Sequence, residues 1–304
     1  MNSPISTAST VATADLDVAL AVPGGAWRRL LQHKSFVIAG SILAAIALMA
    51  LAAPLLAPYD PYAQELANRL VPPVFMEGGS WAHVLGTDGL GRDYLSRVIY
   101  GARVSLMIGL LTALLSGLIG AALGVTAGYF GGRVDAFICY VLAVRLSMPV
   151  VLVALAVVSL IGGSLVVVIT VLGLLLWDRY AVVLRSATMQ VRALDFIIAA
   201  QAVGASTPRI VLTEVLPNVM SSLIVVATFE VAHAILLEAA LSFLGLGVQP
   251  PLPSWGLMIA EGRQHLLFEP WVIVIPGLAL SVLVLSVNML GDGIRDLAAP
   301  ENRN

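Results

Sequence analysis

Three ionisable side chains stand in one otherwise uncharged run: Glu230, His233 and Glu238, between Asn218 and Leu244. Carboxylates beside an imidazole can relay protons or greet a charged solute. Glu230 and His233, at i and i+3, share a helix face and can pair directly. A charge at mid-bilayer costs at least about 2.5 kcal/mol on insertion scales, so these groups must face other helices or a water-filled cavity. Two readings of Glu230 and His233 stay open: they line a translocation route, or they form a satisfied interhelical pair. Other chemistry is poorly supplied. His83 and His265 are isolated and lack the spacing of a metal-ligand set, and the single cysteine, Cys139, offers no disulfide and no thiol cluster. A phosphate-binding loop needs a lysine after glycine. The only lysine, Lys34, follows Leu31-Gln32-His33, so this chain has no such route to ATP hydrolysis.

The setting for these residues is a membrane. Hydrophobic residues make up 59% of 304 and charged residues 11%, against roughly 25% charge in an ordinary soluble domain. The mean hydropathy is +0.97. Phe36 to Pro58 is uncharged and long enough to cross a bilayer core of about 30 Å, and Val104 to Gly128 is a second such run. Ala136 to Trp177, interrupted only by Arg145, would make about 63 Å of helix and must fold back. Gly162-Gly163-Ser164 is the turn, giving spans near 136–161 and 164–183. Asn218 to Leu244 and Trp271 to Gly291 complete six, which puts both termini on one side. Gly120, Gly124 and Gly128 form a small-residue stripe for close helix packing.

Basic residues choose that side. Arg28, Arg29, Lys34, Arg133, Arg179, Arg185, Arg192, Arg209, Arg295 and Arg303 fall on one face of this topology, which the positive-inside rule makes cytoplasmic. Arg145 has two readings, snorkelling to the same interface, which is favoured, or a pathway role. The loops 59–98 and 245–270 then face outward, stiffened by Pro, Gly and Trp. Between the fourth and fifth spans lies a polar interruption. It reads as a short helix, Ile198 to Ser206, closed at Gly204, and a second segment halted before Pro217. This cytoplasmic elbow is shaped to meet another protein, and a separate ATPase subunit is the partner a chain without its own phosphate-binding loop requires.

Several motifs carry a family resemblance. Ala199-Ala200, Gly204-Ala205-Ser206 and Leu216-Pro217-Asn218 resemble the cytoplasmic "EAA" loop of bacterial ABC-importer permeases. Gly86-Thr87-Asp88-Gly89-Leu90-Gly91-Arg92-Asp93, Gly101 to Leu106, Glu238 to Gly247 and Pro251 to Gly256 are similar to the dipeptide, oligopeptide and nickel branch, C-type subunit. The likeness runs from about residue 40 to 300. It departs from the pattern at Ile198, where the family has the glutamate that names the loop, at Glu214, and at Tyr140, Ala143 and Arg145.

The resemblance implies an all-α polytopic membrane protein with six transmembrane helices, the type I ABC-importer permease fold and both termini cytoplasmic. Residues 1–25 are expected to be disordered, 26–58 an interfacial elbow and first helix, 59–98 an external loop, 99–293 the transmembrane domain with its coupling loop at 185–217, and 294–304 a cytoplasmic tail. Ala199, Ala200, Gly204, Ala205, Ser206, Leu216, Pro217 and Asn218 would couple to the ATPase. Asp88, Arg92, Asp93, Glu238 and Trp255 would scaffold the outer loops, and Glu230 and His233 are candidates for the pathway. The implied partners are a homologous permease, two ATP-binding subunits that hold ATP and Mg, and an external substrate-binding protein. The chain itself would carry no cofactor and no catalytic residue. It would import di- or oligopeptides, with nickel chelates or other small solutes as alternatives. The rival function is a proton-coupled secondary transporter working through Glu230, His233 and Glu238.

Overall fold

The computed structural model describes residues 34–298. The expectations for 1–25, for the interfacial segment before Lys34 and for 299–304 lie outside the described residues. Backbone groups in hydrocarbon have no water to bond, so apolar runs satisfy them internally as helices. The helices are α1 (Lys34–Leu51), α2 (Ala53–Leu56), α3 (Tyr94–Phe130), α4 (Gly132–Leu146), α5 (Val150–Ile161), α6 (Leu165–Leu175) and α7 (Asp178–Arg192). They continue as α8 (Asp195–Ala202), α9 (Thr207–Arg209), α10 (Leu216–Phe243), α11 (Trp255–Gly262) and α12 (Trp271–Ala298). Among the described residues the β-structure is one isolated bridge, Thr87 to Asp93.

Four helical stretches are long and apolar enough to cross a bilayer: Tyr94–Phe130, Leu165–Arg192, Thr207–Phe243 and Trp271–Asp296. The first of them, α3, is the mast of the fold. At 37 residues it runs about 55 Å and outreaches the hydrocarbon core. Asp93 starts it by accepting the Ser96 N–H at 2.8 Å, and Gly131 ends it. α7 lies along its C-terminal half, α6 and α10 flank it, and α12 packs on α1 and α10.

The glycine stripe explains the closeness of α3 and α7. A Cβ on Gly120 would lie 2.4 Å from the Trp177 carbonyl oxygen, one on Gly124 2.6 Å from that of Ala181, and one on Gly128 2.6 Å from that of Arg185. These obstacles are backbone and cannot rotate away. The Tyr180 hydroxyl fixes the register by donating to the Ala113 carbonyl at 3.0 Å.

The structure differs from the sequence expectations in four places. The third span is not one straight helix from 136 to 161, because α4 and α5 meet at 79°. Pro149 is the cause: it caps α5, and the residue before a proline is driven out of the helical region. The fourth span runs on to Arg192 through a break at Leu176-Trp177, beyond the expected end near 183. The first span pauses at Ala52, where Pro54 opens α2. The elbow's second segment is not halted before Pro217 but runs from Thr207 into α10. A π-helical stretch, Ile210–Val215, widens the helix just before the proline ring, and Asn218 Nδ2 donates to the Glu214 carbonyl at 2.6 Å.

The α3–α7 contact predicts opposite outcomes for one chemical change. Gly124→Ala must push two backbones apart and should destabilise the protein by about 1–3 kcal/mol. Gly277→Ala in α12 meets nothing within 4 Å and should be neutral. Thermal unfolding of the two variants in one detergent checks this.

Candidate functional site

The elbow between α7 and α10 is built on an apolar anchor. Ile197 of α8 is fully buried among Val125, Leu184, Ile210, Val215 and Val219, with Ala200, Ala205 and Leu216 packed around them. Gly204 then reverses the chain at φ +87°, a left-handed conformation that suits glycine, and the Ala205 N–H bonds the Ala200 carbonyl at 3.0 Å. Gln201 Nε2 lies 3.4 Å from the Tyr129 hydroxyl at the end of α3. With one face anchored, the other is presented outward: Ile198 is 55% exposed and Val203 89%. Ala199, Ser206, Pro217 and Asn218 are exposed too. The eight residues assigned to this elbow are thus brought to one end of the molecule, at the foot of α3.

The opposite end of α3 carries an ionic cluster. Asp88 accepts Arg92 Nε at 2.6 Å, pairs with Arg97, and takes backbone N–H bonds from Leu90 at 2.8 Å and Arg92 at 3.0 Å. Arg97 also meets Glu261 of α11 at 2.9 Å, and Arg92 reaches the same carboxylate at 3.3 Å. Asp93 holds His83 Nδ1 at 2.9 Å. The turn fits because Gly91 has φ +74° and lies against the Glu65 carbonyl, where a Cβ would come within 1.9 Å. Trp255 is buried, with its indole N–H on the Val98 carbonyl at 2.9 Å and its backbone N–H on Ser105 Oγ at 3.1 Å. Glu238 accepts from Ser242 at 2.7 Å and from Ser254 at 2.9 Å. Ser254 caps α11, so Glu238 ties α10 to the outer segment. Arg97, Ser105 and Ser254 fall in the family motifs with no role assigned to them from sequence, and Glu261 was not singled out. Arg97 carried the one usable signal: an arginine just before a long apolar run calls for an acidic partner.

Between the two ends lies the polar cluster of the fifth span. Glu230 is 1% exposed; its Oε2 lies 3.2 Å from His233 Nδ1, and its Oε1 accepts Arg179 Nη1 at 3.1 Å. Arg179, one of the arginines assigned to the cytoplasmic face, stands midway along the helical stretch Leu165–Arg192, about 20 Å from either end. Arg145 does not snorkel. Its guanidinium Nε and Nη2 both bond the Leu175 carbonyl, which the break before α7 leaves without a helical partner, and Nη2 lies 3.8 Å from Asp178. Among the described residues, no three His, Cys, Asp or Glu side chains converge as a metal group.

The outer cluster generates a stability prediction. Burial alone would raise the Asp88 pKa, but the Arg97 and Arg92 guanidiniums and two backbone N–H groups outweigh it and hold the carboxyl below its ordinary value of 3.8. A depressed carboxylate stabilises the fold above its unfolded pKa, and that contribution is lost as pH falls through the folded one. Asp88→Asn should therefore lower stability by about 3–5 kcal/mol at neutral pH, and the gap to the parent protein should close only below about pH 4. Thermal unfolding from pH 7 to 3 reads both.

Comparison with known proteins follows from this geometry. Residues 120–304 match the family described as binding-protein-dependent transport system inner membrane component, and residues 24–73 match the N-terminal TM domain of oligopeptide transport permease C. The chain is 40% identical to the di/tripeptide transport system permease protein DppC of Pseudomonas aeruginosa, over 91% of this chain and 92% of that one. It is 37% identical to the dipeptide permease DppC of Haemophilus influenzae, over 90% and 93%. It is also 37% identical to the glutathione permease GsiD of Pectobacterium atrosepticum, over 90% of both chains. Among solved structures it resembles the inward-facing MetNI methionine ABC transporter, with a TM-score of 0.56 at 17% identity, over 67% of this chain and 97% of that one. The fold is that of a type I ABC permease. These family matches and relatives establish that the chain belongs to the binding-protein-dependent transport inner membrane components, as a C-type permease of the dipeptide/oligopeptide/nickel ABC importer family.

Proposed function

We propose that this chain is the transmembrane permease subunit of an ATP-driven importer of di- or oligopeptides, forming the translocation path with a homologous permease. On this reading α1 and the bent α4–α5 pair join the four long stretches as six crossings. Two ATP-binding subunits hold ATP and Mg on the inner side, and a substrate-binding protein docks on the outer loops. The peptide cargo is supported by the names of the relatives, which align over nine-tenths of both chains.

The observation that carries the coupling assignment is the elbow: a short helix anchored by Ile197, turned at Gly204, and offering exposed Ile198 and Val203. An apolar residue at 198 in place of the family's glutamate makes shape and hydrophobic burial the attachment to the ATPase, with no salt bridge at that position. ATP binding draws the two ATPases together and carries the elbow with them. The anchor around Ile197 passes the movement to α3, α7 and α10, and the path switches from inward-open to outward-open. The residues proposed for the path are Glu230 and His233, while Asp88, Arg92, Asp93, Glu238 and Trp255 hold the outer face rigid under the binding protein.

Co-purification with the ATPase subunits tests this. The complex should survive about 1 M salt, where the screening length is about 3 Å. Gly204→Asp places a charged side chain on the turn and should abolish ATPase retention and uptake while the permease still inserts. Undiminished ATPase binding by that variant overturns the assignment. Uptake that persists without ATPase subunits returns the function to a proton-coupled carrier.

A further inference from the structure

We infer that Arg179 is a carboxylate receptor at mid-membrane, presented by Glu230 to the C-terminal carboxylate of the transported peptide. This rests on the importer reading and adds a substrate-recognition residue to it. Arg179 is the second residue of α7, halfway along a 28-residue span, and Glu230 lies about 20 Å from the outer end of α10. The pair is unequal in exposure. Glu230 is 1% exposed, whereas the Arg179 side chain is 58% exposed.

That asymmetry decides the reading. A purely structural ion pair at this depth would bury both members, and an arginine turned to lipid at mid-bilayer costs several kcal/mol. The exposed face of Arg179 therefore borders water or another subunit, as the wall of a path does. Arg145, the other cation at this level, is consumed internally by the Leu175 carbonyl and Asp178. Arg179 is not. Among the described residues its side chain makes one hydrogen bond, Nη1 to Glu230, which leaves Nε and Nη2 of the planar fork for a second carboxylate. Glu230, with His233 behind it, holds the guanidinium at a cavity of about 340 Å3 whose other walls are Leu146, Asp178, Val182, Val183, Val226 and Phe229; the Asp178 carboxylate there is faced by Arg145 at 3.8 Å and accepts the Arg179 backbone N–H at 3.0 Å, so its charge is already answered. A guanidinium beside an apolar wall fits a free carboxylate with a hydrophobic side chain next to it, which is the C-terminal end of a short peptide.

The test uses the complete transporter in proteoliposomes with its binding protein. ATP-driven uptake of one tripeptide is compared with that of its C-terminal amide, each at a concentration saturating the binding protein. The parent transporter should favour the free acid. Arg179→Gln should lower free-acid turnover about tenfold or more and bring the acid-to-amide ratio close to one, while ATPase stimulation by the loaded binding protein persists. Arg179→Lys, which keeps the charge and loses the fork, should recover part of the ratio. If Arg179→Gln fails to assemble, the charge-balanced double variant R179Q/E230Q must show the same loss of discrimination. An acid-to-amide ratio unchanged from the parent in the assembled variant overturns the inference and leaves the importer reading intact. Absence of ATP-driven uptake by the parent itself overturns the importer reading and this inference with it.

Discussion

Everything in this chain is arranged around the cost of an unpaired polar group in a place without water. Where the backbone stays helical the cost does not arise, and most of the molecule is helix. It arises at irregular points, and specific groups answer some of them. The Leu175 carbonyl, freed by the break before α7, takes the Arg145 guanidinium. Glu230 is enclosed between Arg179 and His233. Spare donors alone do not make a group available, since Arg97 keeps Nε and Nη2 unpartnered while fully buried; Arg179 has spare donors and an exposed side chain.

Rigid ends and an interrupted middle follow from that arrangement. At one end of α3, Asp88, Arg92, Arg97 and Glu261 weld the loop 59–93 to α11, and Trp255 closes over α3. At the other end, Ile197 and its neighbours seat the elbow in an apolar cluster. Between them lie three interruptions: 147–149, 176–177 and the π-helical stretch 210–215. Packed side chains join the elbow to α3, α7, the π-helical stretch and α10. On the proposed function, that is how a docking event at the base alters a path at mid-membrane.

Much of the plan was legible in the residues, for identifiable reasons. Apolar run length located the helices because the bilayer sets their length, and the stripe at Gly120, Gly124 and Gly128 announced a close helix partner because only glycine permits backbone contact. The elbow's glycine turn was legible at Gly204, where the backbone adopts φ +87°. What failed was also physical. The pairing of Arg179 with Glu230 was not legible, because the positive-inside rule counts arginines without regard to carboxylates on other helices. Pro217 was read as a stop because helix rules assume four-residue bonding, which a π-helical stretch evades. Arg145 was assigned to snorkelling since nothing local reveals a helix break thirty residues later. Such pairings depend on tertiary neighbours, and no periodicity within one helix encodes them.

The central claim is that the apolar tip of the elbow is the surface that meets the ATPase. Its most direct measurement is site-specific crosslinking in the assembled transporter, with Cys139 replaced by serine and a single cysteine placed at Val203 or, as a control, at Leu267. Both positions are nearly fully exposed, at 89% and 87%. The account predicts a crosslink from position 203 to an ATP-binding subunit and none from position 267. A crosslink to that subunit from 267, or none from 203 in an intact complex, would contradict it.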